Sequence, residues 1–364
     1  MPSAPTLADL RRYAVARSLF TPTTLPRAIA KLGFIQADPI RAPARAQDLT
    51  LRHRVTAYRA GDLERRYHRL DIEEDFFINY GFVPRSTHAL MHPRTARTLW
   101  TKAQRARAND VLVFVRQHGV VHPRDVDAHF AHGKVTNWFG GSSNATTQLL
   151  DGMHYRGLLR VARRDGGTRL YAPRDEAPGP TDVEAAMDAL VDVAIGKYAP
   201  LPERSLRDLT SRLYHAVPQW LAERRAAFVR ARARCAHTTI DGVTWYWPAT
   251  ESPRSAKFRL SESVRLLAPF DPVVWDRRRF ELFWDWAYRF EAYTPAPKRV
   301  RGYYALPLLW RDAVIGWGNV TARHGAFDVA LGYVTGRAPR DAAYRYALAE
   351  ELARVELFLG RDRE

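Results

Sequence analysis

Asn109-Asp110-Val111-Leu112-Val113-Phe114-Val115-Arg116-Gln117, then His122-Pro123 through Phe130, then Asn144 through Met153, precede two short runs, Leu158–Ala162 and Thr168–Ala172, around Asp165-Gly166-Gly167. The first stretch puts Val111, Phe114 and Val115 on one helical face and stops at Gly119. His122-Pro123 opens a short helix bearing Val126 and Phe130, with proline at its favoured first position. A third helix from about Asn144 carries Leu149, Leu150 and Met153, and Asp165-Gly166-Gly167 is a hairpin turn signal. Three helices followed by a two-stranded hairpin is the order of a winged helix.

Upstream, Thr6 caps a helix carrying Leu7, Leu10 and Ala14. A second helix follows Thr24, with Leu25, Ile29 and Leu32 inward and Gly33 as its stop. Phe34–Ile40 then leaves helical periodicity, and Arg-rich, weakly periodic residues lead to a turn-like Phe82-Val83-Pro84-Arg85. Downstream, Pro173–Pro180 is a linker by composition. Beyond it the pattern recurs: helices marked by Val183, Met187, Leu190 and Val191, by Leu206, Leu209 and Leu213, and by Pro218–Ala233, then a hairpin turned at Asp241-Gly242. Between Val264 and Val334 the runs are short and β-rich, interrupted by a helical stretch Phe280–Phe290, and Ala342–Leu359 is a terminal helix. The expected fold class is α+β: two helices and an extended stretch at 1–95, a winged-helix domain at 96–178, a related unit at 179–252, then a small C-terminal β-barrel or curled sheet with a closing helix at 253–364.

The 364 residues hold 56 Lys+Arg against 39 Asp+Glu, a net charge of +17. An apolar fraction of 46% suffices for real cores and excludes a disordered basic tail. No apolar run approaches the roughly 18 residues needed to cross a bilayer, no secretory h-region is visible near the N-terminus, and the single Cys235 excludes a disulfide framework. No phosphate-loop or cysteine-cluster motif calls for a cofactor. A soluble cytoplasmic protein is the simplest expectation. Residues 1–150 carry 22 basic against 12 acidic residues, more than half of the excess. Only six basic residues are lysines, a bias that suits phosphate contacts and that a GC-rich genome also produces. The net charge carries a self-repulsion that a polyanionic partner relieves.

Within Phe34-Ile35-Gln36-Ala37-Asp38-Pro39, Pro39 biases Asp38 toward extended geometry. Gln36 and Asp38 then project together, opposite Ile35 and Ala37. An amide beside a carboxylate can hold one water, the amide orienting it and the carboxylate taking its proton or stabilising positive charge. The same spacing also reads as a turn that bonds its own backbone. His118, His122, His129 and His132 invite a metal reading, but Gly119 and Pro123 break regular geometry and no ligand spacing is recognisable, so no metal is expected.

Leu32–Leu49 resembles the signature of the winged-helix DNA glycosylases of the YcaQ/AlkZ family. The stretches Leu267-Ala268-Pro269-Phe270-Asp271-Pro272-Val273-Val274-Trp275-Asp276-Arg277 and Tyr288–Arg299, with Gly302-Tyr303, are similar to the YcaQ branch nearly residue for residue. The resemblance implies three tandem winged-helix domains, at 1–95, 96–178 and 179–252, and a barrel around a DNA-binding cleft, with Gln36 and Asp38 catalytic. Asp38, where the more specialised antibiotic-resistance members have glutamine, points to the YcaQ branch. The implied reaction is monofunctional hydrolysis of the N-glycosidic bond of cationic N7-alkylated purines, bulky adducts and interstrand crosslinks included. The implied partner is double-stranded DNA carrying such purines, with no membrane or protein partner. Arg41, Arg45, Arg85, Arg163, Arg164, Lys298 and Arg299 are the candidate DNA contacts. Asp271 and Asp276 read as structural ties around Pro272, and Lys31 as a poor candidate for a covalent lyase route. Two departures from the family pattern stand out: no histidine lies in Phe76–Gly81, and Arg45-Ala46-Gln47 replaces an Arg-Ser-His-like triplet. The alternative reading is a non-catalytic winged-helix regulator or architectural DNA binder. Such a protein has no reason to hold Gln36 and Asp38.

Overall fold

Helices Lys102–His118, Pro123–Phe130 and Ala145–Tyr155 precede an antiparallel hairpin of Leu159–Asp165 with Thr168–Pro173, in the order expected from the sequence. The structure, a computed structural model, describes residues 4–131, 133–136, 142–175, 178–323 and 326–360. The chain forms two compact units: Met1–Leu63 with Val191–Thr210 and Phe228–Glu364, and Glu64–Leu190 with Ser211–Ala227. None of the described helices is long and apolar enough to cross a membrane.

In the second unit the starts of these three helices are chemically specified. Thr101 and Gln104 form a reciprocal capping box, His122 Nδ1 accepts from Arg124 N, and Asn144 Oδ1 accepts from Thr146 N. Val111, Val115, Val126, Leu150, Met153, Leu159 and Val161 are all fully buried and make one core. A single backbone bridge ties Val121 to Tyr171 at the edge of the hairpin. The turn expected at Phe82–Arg85 is instead a strand, Tyr80–Pro84, antiparallel to Ile72–Phe76 and followed by a helix, Arg85–Ala89. Phe82 and Val83 are successive and both buried, so this strand is covered on both faces and lacks the alternation that marks a half-exposed one.

In the first unit, Thr6 and Asp9 form a capping box on helix Leu7–Ser18. A second hairpin, Cys235–Ile240 with Val243–Pro248, turns at Asp241-Gly242 as expected, and Leu201–Pro202 pairs on its other side. The C-terminal strands do not close into a barrel among the described residues. They form an open meander in the order Val264–Leu266, Leu306–Trp310, Ala313–Arg323, Ala326–Tyr333. The reason lies at the first edge, where helix Ala342–Phe358 packs along Val264–Leu266. Glu351 Oε1 accepts from Leu266 N at 2.8 Å, and Arg354 Nη2 donates to Val264 O at 3.2 Å. Helix side chains thus satisfy backbone groups that another strand would otherwise pair. The helix expected at Phe280–Phe290 is Arg277–Trp284 and ends at Asp285, whose φ of 49° is left-handed.

Candidate active site

Helix Leu25–Leu32 ends at Gly33, whose φ is 66°. A Cβ there would lie 2.8 Å from Val193 Cγ1, so no larger residue fits without movement. The chain leaves the helix extended. Phe34 and Ile35 are buried anchors, while Gln36 and Asp38 are partly exposed.

Asp38 Oδ1 accepts from Ile40 N at 2.9 Å. The backbone-bonding turn is therefore present, but it takes one oxygen only, and no described group bonds Oδ2. Burial pushes the Asp38 carboxyl above its usual range, against the opposing pull of the Ile40 N–H. Burial also raises the Tyr304 phenol, with the Asp38 charge as the next cause, so the two side chains are electrostatic neighbours. The Tyr304 hydroxyl is buried without a hydrogen-bond partner among the described residues.

Trp275 Nε1 donates to Gln36 Oε1 at 2.8 Å, and the indole packs on Tyr198 with ring centroids 4.8 Å apart. An indole N–H can only donate, so the Gln36 carbonyl must face it and the amide NH₂ faces the other way. Trp275 is set in turn by the Asp271 turn. Asp271 O accepts from Trp275 N at 2.8 Å, and Asp271 Oδ1 accepts from Val273 N at 3.0 Å. Both Asp271 oxygens pair with Arg54 at 2.7 and 3.0 Å, the two side chains being fully buried. Asp276 caps helix Arg277–Trp284. Asp271 ties the turn around Pro272 as the sequence reading has it, whereas Asp276 is a helix cap. The sequence did not single out the Trp275 indole or the Tyr304 hydroxyl, although both lie in or beside the family-like stretches.

Lys31 Nζ sits 4.0 Å above the Phe20 ring. Lys197, which the sequence reading did not weigh, donates to Phe34 O, and burial brings its amine down to about 7.

The candidate DNA contacts fall in both units. In the first, Arg41 and Lys298 are exposed and Arg45 is half-buried. Arg299 Nε donates to Thr294 O at 2.8 Å, and its guanidinium lies 5.0 Å from the Tyr303 ring centroid. Glu291 gathers the backbone N–H groups of Val300, Arg301 and Gly302, fixing that loop. In the second unit, Arg85 and Arg163 come together along one cleft of about 360 Å³ that Arg160 also lines. Arg164 differs from the expectation. Its guanidinium forms a fork on Glu74 at 2.7 and 2.6 Å, with the Glu74 side chain fully buried. That geometry uses the donors a phosphate would need.

The same unit holds a cluster that the sequence reading missed. His88 Nε2 and His92 Nε2 lie 3.0 and 2.7 Å from Asp75 Oδ2, and Arg94 Nη1 donates to Asp75 Oδ1 at 2.8 Å. An ionised carboxylate only accepts, so both rings donate from Nε2. Burial would raise Asp75, but Arg94 and the two histidine donors hold it well below the usual range. The three residues have the donor set of a metal site. Arg94 on Asp75, however, and Arg174 Nη1 on His88 Nδ1 at 3.1 Å, put guanidinium charge where a cation would go. We read an ion-paired hydrogen-bond cluster, signalled in the sequence only by the i, i+4 histidines. His122 serves as a helix cap, and His118 and His129 pack on Phe114; His132 lies outside the described residues.

Burial pushes His88 and His92 down to about 4. Both are neutral in the fold, while the unfolded chain protonates them near 6.5. Stability is therefore lost progressively as pH falls from about 6.5 to about 4. Thermal unfolding across that range should show the midpoint dropping, and His88→Gln/His92→Gln should flatten the dependence. An equally steep curve in the variant would assign the loss to other groups.

The sequence model of a family described as DNA glycosylase AlkZ-like matches residues 29–358. The solved structure of the Streptomyces sahachiroi DNA glycosylase AlkZ superposes on 99% of this chain and 98% of that one, with a TM-score of 0.64 and 13% identity.

Proposed function

Because the chain belongs to the AlkZ-like DNA glycosylase family, we propose that Asp38 and Gln36 hydrolyse the N-glycosidic bond of cationic N7-alkylated purines, bulky adducts and interstrand crosslinks among them. The observation that carries this reading is the pair itself. Asp38 keeps one oxygen anchored and the other without a partner among the described residues, two positions along the chain from a Gln36 amide oriented by Trp275. A purine alkylated at N7 is already cationic, so its departure needs no general acid. What develops on the sugar is positive charge, which an ionised carboxylate stabilises while guiding water to the anomeric carbon. The Gln36 NH₂ donates to the water oxygen, leaving the water's protons directed at Asp38.

Phosphate contacts fall to Arg41, Arg45, Arg85, Arg163, Lys298 and Arg299, which position the duplex without reading its sequence. The deciding experiment incubates the protein with duplex containing 7-methylguanine and measures free base. Binding without release would overturn the catalytic assignment.

Trp275 acts through Gln36 and is a positioning residue. Trp275→Phe keeps an aromatic ring against Tyr198 but deletes the N–H. The loss of one oriented hydrogen bond, about 1.4 kcal/mol, predicts a single-turnover rate about tenfold lower. The dissociation constant for DNA should not move. An unchanged rate would remove Trp275 from the mechanism.

A further inference from the structure

A cavity of about 760 Å³ opens in the unit that carries Asp38, yet neither Gln36 nor Asp38 lines it. Its walls come from the ends of helices Leu7–Ser18 and Leu25–Leu32, from Gly196 and Lys197, and from the segment around Lys257 to Arg265. Among the described residues the only carboxylate lining it is Glu251, which is committed to Arg17 at 2.8 Å. Arg311 is likewise committed, to Glu262 at 2.6 Å. Lys31, Lys197, Lys257, Arg259 and Arg265 also line the cavity, and none has a carboxylate at ion-pair distance among the described residues.

Among the described residues, seven basic side chains line the cavity against one carboxylate; Asp271 supports Lys197 and Glu351 supports Arg265, whereas Lys31 and Lys257 stand near enough to repel each other. Lys31 and Lys257 place their ammonium groups over Phe20 and Phe258, 4.0 and 4.8 Å from the ring centroids, so that ring faces stand in for counter-ions. Burial, then the Arg17 charge, and also Lys257, depress the Lys31 amine against the opposing pull of Glu251. The volume lies in the range that small-molecule ligands occupy.

We propose that this cavity binds a phosphate-bearing ligand of nucleotide size, with the phosphate held between Lys31 and Lys257 and backed by Arg265. A multiply charged anion answers the charge excess in a way a single carboxylate does not, and its oxygens are acceptors for ammonium and guanidinium donors alike. The phosphate can belong to a free nucleotide or to a DNA backbone. The site does not depend on the chemistry assigned to Asp38.

Calorimetric titration of the full chain with inorganic pyrophosphate at low salt tests the proposal. Binding is expected, with a raised thermal midpoint, and Lys31→Met/Lys257→Met should weaken it at least about tenfold. Without ligand, the double variant should unfold at the same temperature as the parent or higher, because two like charges are gone. Should that variant fail to fold, Lys257→Glu alone serves, with the same loss expected. No pyrophosphate binding by the parent, or equal affinity in a folded variant, overturns the site. Undamaged duplex then identifies the source. Displacement of pyrophosphate by duplex supports a backbone phosphate. Displacement by deoxyguanosine monophosphate but by neither deoxyguanosine nor duplex supports a free nucleotide.

Discussion

Asp38→Asn is expected to lower release of 7-methylguanine from duplex DNA by about 10²- to 10⁴-fold, the range for removing a positioned proton acceptor, while leaving DNA affinity unchanged. Asparagine is nearly isosteric and keeps an oxygen for the Ile40 N–H, so the turn at 2.9 Å survives. What disappears is the negative charge facing the developing cation. The carboxyl is raised by burial, so release by the parent should fall as pH drops through a value above the ordinary aspartate range. The same shift predicts a gain in stability. A group whose folded-state pKa is raised is disfavoured in its charged form, so the parent carries a penalty at neutral pH that fades as pH falls through that pKa. The asparagine variant should melt higher than the parent at pH 7 and converge with it near pH 3. A variant that loses activity while also losing stability at pH 7 would mark Asp38 as a structural tie. Undiminished release would remove it from catalysis altogether.

Local signals made much of the architecture readable. Gly33, the Asp165-Gly166-Gly167 and Asp241-Gly242 turns, and the caps at Thr6 and His122 each act within a few residues, and each element begins or ends where they require. Phe82-Val83 misled because a strand buried on both faces has no alternation to read. The helix at Arg277–Trp284 begins before its apolar periodicity shows, because its N-cap Asp276 also suits a turn after Pro272. The open sheet was not legible either. It depends on Glu351 and Arg354 reaching the backbone of a strand 85 to 90 residues away in the chain. The candidate site shows the same division. Gln36 and Asp38 lie two apart in sequence, and an extended chain alone predicts that they project together. Trp275, which orients Gln36, is 239 residues away, and only folding brings the two within 2.8 Å. Arg164 shows the converse: its charge is plain in the sequence, but its buried partner Glu74 is not.

Asp271→Ala is expected to destabilise the protein by about 3–5 kcal/mol, the cost of leaving one member of a buried ion pair without its partner. Arg54 and Asp271 are both fully buried, and their two contacts at 2.7 and 3.0 Å make a bidentate fork. Removing the carboxylate leaves Arg54 with only the carbonyls of Ser18 and Thr50, and Lys197 loses the one charge that supports its ammonium against burial and Arg54. Lys197 is then held neutral, and Arg54 remains as a buried cation without a counter-ion. Urea unfolding should register the change as a lower midpoint with an unchanged slope. The double variant Arg54→Met/Asp271→Leu should recover most of the loss, because apolar replacement of a buried pair costs far less than breaking it. A single variant within about 1 kcal/mol of the parent would mean that water reaches the pair and screens it. The double variant should still release base more slowly than the parent. Leucine cannot accept from Val273 N, and the turn it loosens is the one that delivers the Trp275 indole to Gln36. Stability and catalysis can therefore be separated at this residue: the ion pair supports the fold, and the turn bond supports the site.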